Sequence, residues 1–272
     1  MAKVRLHQGD VLDGFKLVKQ VHSGGMAVLW EVTHPAHQDV PLLMKVPRLH
    51  EGEDPAAIVG FEMEQMILPR LSGLHVPRIF ASAGFDRHPY LVMERIDGTS
   101  LLPLLRRLPL PIDEIVAIGA RVATAIDSLH RQHVIHLDLK PSNILTRPTG
   151  EAVLVDYGLS HHEQLPDLME EEFRLPYGTA PYMAPEQTMG IRTEARSDLF
   201  ALGVLMYFFT TGERPFGDPQ RLKDLRKRIW RDPTPPRAIR KECPPWLQEV
   251  IMRCLEVDPD RRYPTAAQLA FD

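Results

Sequence analysis

The sequence predicts an α+β protein in which an antiparallel sheet precedes a mostly helical region. Two observations favour this order. Short β-favouring segments alternate with turn signals up to about residue 96. From Asp113 onward, apolar residues recur at helical spacing instead. The predicted strands of the first region are 15–18, 28–33, 42–46 and 90–94.

A helix is predicted between the third and fourth of these strands. Asp54 can cap free backbone N–H groups, and Pro55 fits the first helical turn, where no N–H is needed. We expect Pro69 to end or kink this helix. After the fourth strand, Asp97 and Gly98 form a turn signal that could join two parts of the protein.

The second region is predicted to be helical, with short strands inserted near polar residues. Its first helix carries an apolar stripe made of Ile115, Ile118, Val122, Ile126 and Leu129. Strands are predicted at 143–146 and 152–155. The apolar run 199–209 is shorter than the roughly 20 residues that a membrane span needs, so it predicts a buried helix. The proline-rich stretch 233–245 predicts surface turns.

Composition excludes several classes of protein. The 272 residues are 44% apolar and 25% charged, as in ordinary globular proteins, and the formal charge of −4 gives no nucleic-acid footprint. No secretory signal or membrane segment is visible, so we expect a cytoplasmic protein. Cys243 and Cys254 are expected to be buried free thiols, because two cysteines make neither a disulfide framework nor a four-ligand metal site.

One stretch of chain concentrates chemically useful side chains. The run HLDLKPSN at 136–143, followed by DYG at 156–158, brings two carboxylates, an ammonium group and an amide close together. Phosphoryl transfer mainly requires a protein to orient a hydroxyl and to hold Mg²⁺ against anionic oxygens. These motifs resemble the catalytic and metal-binding loops of the protein-kinase family, and the resemblance extends from residue 15 to the C-terminus.

The resemblance implies a bilobal protein-kinase fold. Residues 1–96 would form an N-lobe with an antiparallel sheet and one helix, and residues 97–272 a mostly helical C-lobe, together making one kinase domain. The Lys140-Pro141 pair resembles the serine/threonine branch of the family, and Gly24-Gly25-Met26 is similar to its bacterial members. The implied cofactors are ATP and Mg²⁺.

The family pattern assigns roles to the catalytic side chains. Lys45 would form an ion pair with Glu64, 19 residues later, and so contact the α- and β-phosphates; Glu62 is the alternative partner if the helix register differs. Taken singly, these residues also fit a surface lysine and a solvated glutamate. Asp138 would act as the catalytic base, although alone it also fits a turn or helix cap. Lys140 would neutralise charge on the moving phosphoryl group.

Asn143 and Asp156 are the predicted metal ligands, since hard oxygen donors suit Mg²⁺. The nucleotide is assigned to His22, Gly24, Gly25, Leu29, Leu43, Lys45, Met93, Glu94, Ile96 and Leu145. The glycine-rich loop of the family keeps one of its three glycines here, because His22 and Ala27 occupy the other two positions. His22 fits a phosphate ligand or, more simply, a surface histidine. Leu43 replaces a small alanine and should crowd the adenine ring.

The C-terminal part of the resemblance concerns the substrate groove and the scaffold. The run GTAPYMAPE at 178–186 is similar to the end of an activation segment, in which Thr179 would contact the catalytic aspartate and shape the groove. Asp198 would brace the catalytic loop. Arg262 would pair with Glu186, because a guanidinium fork suits a buried carboxylate.

One departure from the family concerns regulation. Leu137 stands where the family has an arginine that receives a phosphorylated activation loop, and an alkyl side chain cannot do so. Our hypothesis is an activation segment that is ordered without phosphorylation or is controlled by a partner. The acidic run 170–172 within it also fits a solvated, mobile stretch.

The sequence therefore predicts a serine/threonine protein kinase that transfers the γ-phosphoryl group of Mg-ATP to a protein hydroxyl. The alternative is a pseudokinase, a scaffold or binding module with weak or no nucleotide turnover, which the degraded glycine loop, Leu43 and Leu137 favour. Phosphorylation of a small molecule is a third hypothesis. The expected partner is a protein with a Ser or Thr acceptor, with room for a regulatory partner or cognate phosphatase, and without nucleic acid.

Overall fold

The structure, a computed structural model, describes residues 6–24, 27–48, 55–173, 176–219 and 221–272. These residues form a curled antiparallel sheet with one long helix, followed by a mostly helical region. The predicted α+β, bilobal fold class is thus confirmed. The predicted boundary between residues 96 and 97 falls in the segment that links the sheet to the helical region.

The N-terminal sheet has six strands within the described residues. In chain order they are β1 (Val11–Leu12), β2 (Phe15–Ser23), β3 (Ala27–Thr33), β4 (Leu42–Pro47), β5 (Ile79–Ala83) and β6 (Tyr90–Glu94). Their order in the sheet is β1-β2-β3-β4-β6-β5, and every neighbouring pair is antiparallel. The four predicted strands are present, and the sequence reading missed β1 and β5.

Side chains alternate between the two faces of this sheet, as the pleat requires. One face is covered by a small apolar core that contains Trp30, Met44 and Val92. On the opposite face, Leu29 pairs with Lys45 and Leu43 pairs with Met93 across neighbouring strands. Residues paired in this way share a face, so Lys45 and these three apolar side chains face the same side.

Helix α1 (Pro55–Ile67) packs on the side of the sheet that carries Lys45. It begins at Pro55 in the described residues, whereas the predicted cap Asp54 lies outside them. A 3-10 turn, Leu68–Arg70, follows α1, because Pro69 cannot donate the N–H that another α-helical turn would need. The buried residues of α1 include Phe61, Met63 and Glu64.

The helical region surrounds one almost fully buried helix, α4 (Arg196–Thr211). The other helices of this region within the described residues are α2 (Ile112–His130), α3 (Leu168–Glu172), α5 (Leu222–Leu225), α6 (Pro236–Ile239), α7 (Pro245–Cys254) and α8 (Ala266–Phe271). The apolar run 199–209 lies within α4, as predicted. A Cβ atom added at Gly203 would lie 2.6 Å from the Cβ of Cys254, so the contact of α4 with α7 requires glycine there.

Short strands lie just before and just after the polar stretches 136–143 and 156–158. In chain order after β7 (Thr99–Ser100), they are β8 (Val134–Ile135), β9 (Ile144–Thr146), β10 (Ala152–Leu154) and β11 (His161–His162). β9 pairs with β7 and β10, and β8 pairs with β11. Residue 143, predicted as strand, instead ends a 3-10 turn that starts at Pro141.

Two further sequence predictions can be compared with the described residues. Cys243 and Cys254 are buried and free, as expected. None of the helices in the described ranges is both long and apolar enough to cross a lipid bilayer.

Candidate active site

Lys45 joins the sheet, helix α1 and the segment after β10. Its Nζ lies 2.5 Å from Oε2 of Glu64 and 3.0 Å from Oδ1 of Asp156. Glu64, rather than Glu62, is therefore its partner on α1. Burial opposes the charge of Lys45, but the two neighbouring carboxylates outweigh it and raise the pKa of the ammonium group. Lys45 thus stays cationic at neutral pH.

Asp156 keeps part of its carboxylate available. It lies two residues beyond β10 with a φ of 70°, a left-handed conformation that is uncommon for a residue other than glycine. Lys45 contacts one carboxylate oxygen and lowers the pKa of Asp156. The side chain is still 48% exposed, so the other oxygen can reach a bound cation.

Asp138 is held on both of its carboxylate oxygens. Oδ1 accepts hydrogen bonds from the backbone N–H and the hydroxyl of Thr179, at 2.9 Å and 2.7 Å. Oδ2 accepts from Nζ of Lys140 at 2.6 Å and from Nδ2 of Asn143 at 3.2 Å. Lys140 also donates to the hydroxyl of Thr179 at 3.0 Å. The structure thus brings four residues that were predicted for the site into one network.

Asp198 in α4 holds the backbone of residues 136 and 137 through hydrogen bonds. Oδ1 of Asp198 accepts from the N–H of Leu137, and Oδ2 accepts from the N–H of His136, both at 2.9 Å. The ring of His130 contacts Oδ2 as well, at 2.9 Å. Burial would raise the pKa of Asp198, but these hydrogen bonds outweigh burial and lower it. Leu137 has a φ of 62°, and its carbonyl accepts from Gln187 at 2.8 Å.

Asn143 and Asp156 form a donor set that suits Mg²⁺. Nδ2 of Asn143 donates to the carbonyl and carboxylate of Asp138, and its Oδ1 accepts from the hydroxyl of Ser142 at 3.1 Å. An amide oxygen has two lone pairs, so Oδ1 retains one for a cation. The carbonyl of Asn143 accepts from the N–H of Val155 at 3.0 Å, which places Asn143 beside the residue before Asp156. No group of three or more His, Cys, Asp or Glu that could hold a metal ion occurs in the described ranges. Two oxygen ligands nevertheless fit Mg²⁺, which keeps waters and phosphate oxygens as its other ligands.

The residues assigned to the nucleotide differ in burial. Leu29, Leu43 and Met93 share the sheet face of Lys45; Met93 is buried and the two leucines are half-buried. Leu145 on β9 and Ile96 are also half-buried. The side chain of Glu94 is held by Arg147 at 2.6 Å, and its N–H donates to the carbonyl of Arg78 at 2.7 Å. His22 is exposed, and its ring lies so close to Gly24 that a Cβ atom there would be 2.9 Å from Nε2. Gly25 lies outside the described residues.

Contacts of Asp167 with Arg192 and His161 fix the start of the activation segment. These contacts were not predicted from the sequence. Oδ2 of Asp167 accepts from Nε of Arg192 at 2.7 Å and lies 3.0 Å from Nδ1 of His161. Arg192 also donates to the carbonyls of Leu159 and Ser160. Burial would raise the pKa of Asp167, but its contacts with His161 and Arg192 lower it to about 2. Asp167 also caps α3, whose three glutamates are exposed while Met169 is buried.

Two arginines hold the end of the activation segment. Arg262 forms a two-pronged contact with Glu186, at 2.6 Å and 2.7 Å, as the family pattern implied. Arg228, which the sequence reading did not consider, donates to the carbonyls of Ala180 and Met183. The only available signal was its place in a dense basic run.

Comparisons with known proteins point to one family. The profile of the protein kinase domain matches residues 15–271. Pkn1, a serine/threonine-protein kinase of Myxococcus xanthus, is 31% identical over 93% of this chain and 37% of its own length. PknL of Mycobacterium tuberculosis is 30% identical over 97% of this chain and 66% of its own length. PknB of Lactococcus lactis, a probable serine/threonine-protein kinase, is 26% identical over 96% of this chain and 41% of its own length. The chain thus spans about two fifths of Pkn1 and of this PknB.

Proposed function

We propose that this chain, which belongs to the protein kinase domain family, is an active kinase that transfers the γ-phosphoryl group of ATP to a serine or threonine hydroxyl of a protein. The strongest support is the network at Asp138, in which Lys140, Asn143 and Thr179 hold both carboxylate oxygens. Because the chain covers only part of most of these relatives, the activity and substrates of the whole protein are part of this proposal.

Asp138 is assigned two roles, to orient the acceptor hydroxyl and to accept its proton. Its carboxylate is fixed in place, so it can orient the hydroxyl and accept its proton as the new O–P bond forms. The bond between the γ-phosphorus and the bridging oxygen breaks in the same step, and ADP is the leaving group. Lys140 lies 2.6 Å from the same carboxylate, where its ammonium group can stabilise negative charge on the phosphoryl group in flight. Thr179 links both residues to the substrate groove.

The nucleotide is assigned to the other side of the cleft. Lys45, held by Glu64, would contact the α- and β-phosphates, and Leu29, Leu43, Met93, Ile96 and Leu145 would surround the base. Asn143 and Asp156 would hold Mg²⁺. When bound, Mg²⁺ neutralises the phosphate oxygens and aligns the γ-phosphoryl group for attack.

We further propose that the activation segment is ordered without a phosphate. Leu137 offers no donor for one, whereas Asp167 already provides a carboxylate that is bound by Arg192 and His161. Phosphatase treatment of an active preparation should therefore leave the rate unchanged. Arg192→Gln should lower the rate with or without phosphatase. A large loss of rate on removal of a phosphate from this segment would contradict the proposal.

A transfer assay with labelled ATP and Mg²⁺ tests the proposed activity. Asp138→Asn should reduce kcat by about 10²- to 10⁴-fold, the usual contribution of a positioned general base. Asp39→Asn is the matched control, because it makes the same chemical change at an exposed residue in the loop between β3 and β4. We expect it to change kcat by less than about twofold.

The same assay distinguishes the kinase proposal from the pseudokinase alternative, which the glycine-poor nucleotide loop, Leu43 and Leu137 favour. Transfer that Asp138→Asn leaves undiminished would refute the assigned role of Asp138. Binding of Mg-ATP without any transfer by the unmodified chain would favour a scaffold instead. Thermal unfolding with and without Mg-ATP reports the binding separately.

A further inference from the structure

The segment 221–231 concentrates positive charge in a chain of net negative charge. It contains six basic residues and one acidic residue, whereas the whole chain has a formal charge of −4. The segment begins at Arg221, continues through α5 and a 3-10 turn, Arg226–Ile229, and ends with Trp230 and Arg231. Trp230 is 70% exposed. Such segregation creates a local field that attracts anions.

A cavity of about 280 Å³ lies against this segment. Four of its lining residues are basic: Arg221, Lys227, Arg228 and Arg231. Two are acidic, but Asp218 is paired with Arg214 and Asp224 with Lys227, each at 2.8 Å. Arg221 and Arg231 are exposed and make no ion pair with any described residue. The cavity therefore presents guanidinium groups that can still bind an anion.

Arg228 adds a buried charge to this cavity. It is 1% exposed, donates to the carbonyls of Leu225, Ala180 and Met183, and pairs with none of the described carboxylates. Burial lowers its pKa to about 10, so it remains cationic at neutral pH. A buried cation without a carboxylate strengthens attraction for an anion beside it.

The cavity adjoins the proposed substrate groove. Arg228 donates to the carbonyl of Ala180 at 3.1 Å, and the preceding residue, Thr179, donates to Asp138. Two consecutive residues, 179 and 180, therefore connect Asp138 to the basic segment.

We propose that this cavity binds acidic side chains of the protein substrate, so that the enzyme selects acceptor sites flanked by glutamate or aspartate. The proposal rests on the proposed kinase function and names its substrate class. Arg221 and Arg231 contact the substrate carboxylates, as guanidinium forks match carboxylate geometry. Arg228 is a positioning residue that holds the end of the activation segment and contributes charge.

Equilibrium binding tests this proposal without any turnover. Two fluorescein-labelled peptides with one central serine are compared, one with two glutamates on each side and one with glutamines in their place. Fluorescence anisotropy is measured with the full chain, with Arg221→Gln/Arg231→Gln and with Lys223→Gln/Arg226→Gln. The last variant is the matched control, since it removes the same charge from the same segment at exposed residues that do not line the cavity.

We expect the unmodified chain to bind the glutamate peptide about tenfold more tightly than the glutamine peptide, with the preference falling as salt is raised. Arg221→Gln/Arg231→Gln should lose most of this preference, and the control should keep it. Equal affinity for both peptides, or equal losses in the two double variants, would overturn the proposal. Arg231→Gln alone provides a second variant if the double variant unfolds early.

Failure of the kinase assignment would look different. Retained preference for the glutamate peptide without phosphoryl transfer to any peptide would sustain the docking site for acidic side chains and refute the proposed activity. Transfer with equal kcat/KM on both peptides would sustain the activity and refute the docking site.

Discussion

The floor and the roof of the cleft differ in how their side chains are held. The floor, residues 136–143 with Asp156, is held by many polar contacts that are mostly buried or part-buried, although Asp156 itself is exposed. Asp138 accepts four hydrogen bonds, and Asp198 supports the backbone beneath it. The roof, formed by β2, β3 and the described part of the turn between them, presents exposed His22 and half-buried Gly24 and Leu29. Its described residues place no charged side chain of β2 or β3 in contact with the floor.

This difference indicates that the floor and the roof contribute to function in different ways. Orientation of a hydroxyl and of a metal ion requires atoms fixed within fractions of an ångström, and a network in which each buried polar atom has partners provides that. A roof that acts through backbone and apolar contact tolerates more variation. Substitutions in the floor should therefore have large effects, and those in the roof small ones.

The largest effect on stability is expected at Asp198. Asp198→Ala leaves the buried N–H groups of His136 and Leu137 without an acceptor, which should cost about 3 to 5 kcal/mol of unfolding free energy. Urea denaturation measures this loss. Asp39→Ala, at an exposed residue, serves as the control and should stay within about 0.5 kcal/mol. A loss below about 1 kcal/mol at Asp198 would mean that the floor does not depend on this brace.

A smaller effect, which depends on pH, is expected at Asp167. Its pKa is lowered from 3.8 to about 2, so the ionised form stabilises the fold above about pH 4 and this stabilisation is lost as the pH falls towards 2. The shift corresponds to about 2 kcal/mol. Asp167→Asn should therefore be less stable than the unmodified chain at pH 6, and the difference should shrink at pH 2 to 3. Denaturant unfolding across this range measures it; a constant difference would contradict the assigned cause.

The sequence indicated the candidate site residues better than some of the contacts that support them. Asp138 and Asp156 belong to local motifs, and the family resemblance supplied Lys45 and the pairing of Arg262 with Glu186. The contact of Arg192 with Asp167 and the contact of Arg228 with Ala180 join residues 25 and 48 positions apart, and no local pattern specifies such pairs.

Secondary structure shows the same limit. β2, β3, β4 and β6 carry clear β-favouring runs, whereas β1 has two residues and β5 contains two alanines and a serine. Neither short strand gives a signal by itself. Pairing with β2 and β6 stabilises them, and that is tertiary information.

A moderate effect on activity is expected at Leu43 on β4, beside the proposed site of the adenine ring. Leu43→Ala should lower the KM for ATP by roughly three- to tenfold, because Leu43 lies on the sheet face shared with Lys45 and Met93 and would crowd the adenine ring in the proposed site. Val46→Ala is the control on the same strand, since Val46 points to the opposite face and should affect stability instead. An unchanged or higher KM at Leu43→Ala would place the base elsewhere.

The smallest effect is expected at His22. Its side chain is exposed and makes no hydrogen bond with any described residue, so His22→Ala should change the KM for ATP by less than about twofold. The alternative role, as a phosphate ligand, predicts a different outcome. An imidazole that binds the phosphates would instead make His22→Ala raise the KM for ATP by about tenfold or more. Measuring the KM of both proteins therefore decides whether the roof contacts the phosphates through this side chain, and a large rise on substitution would break the contrast with the floor.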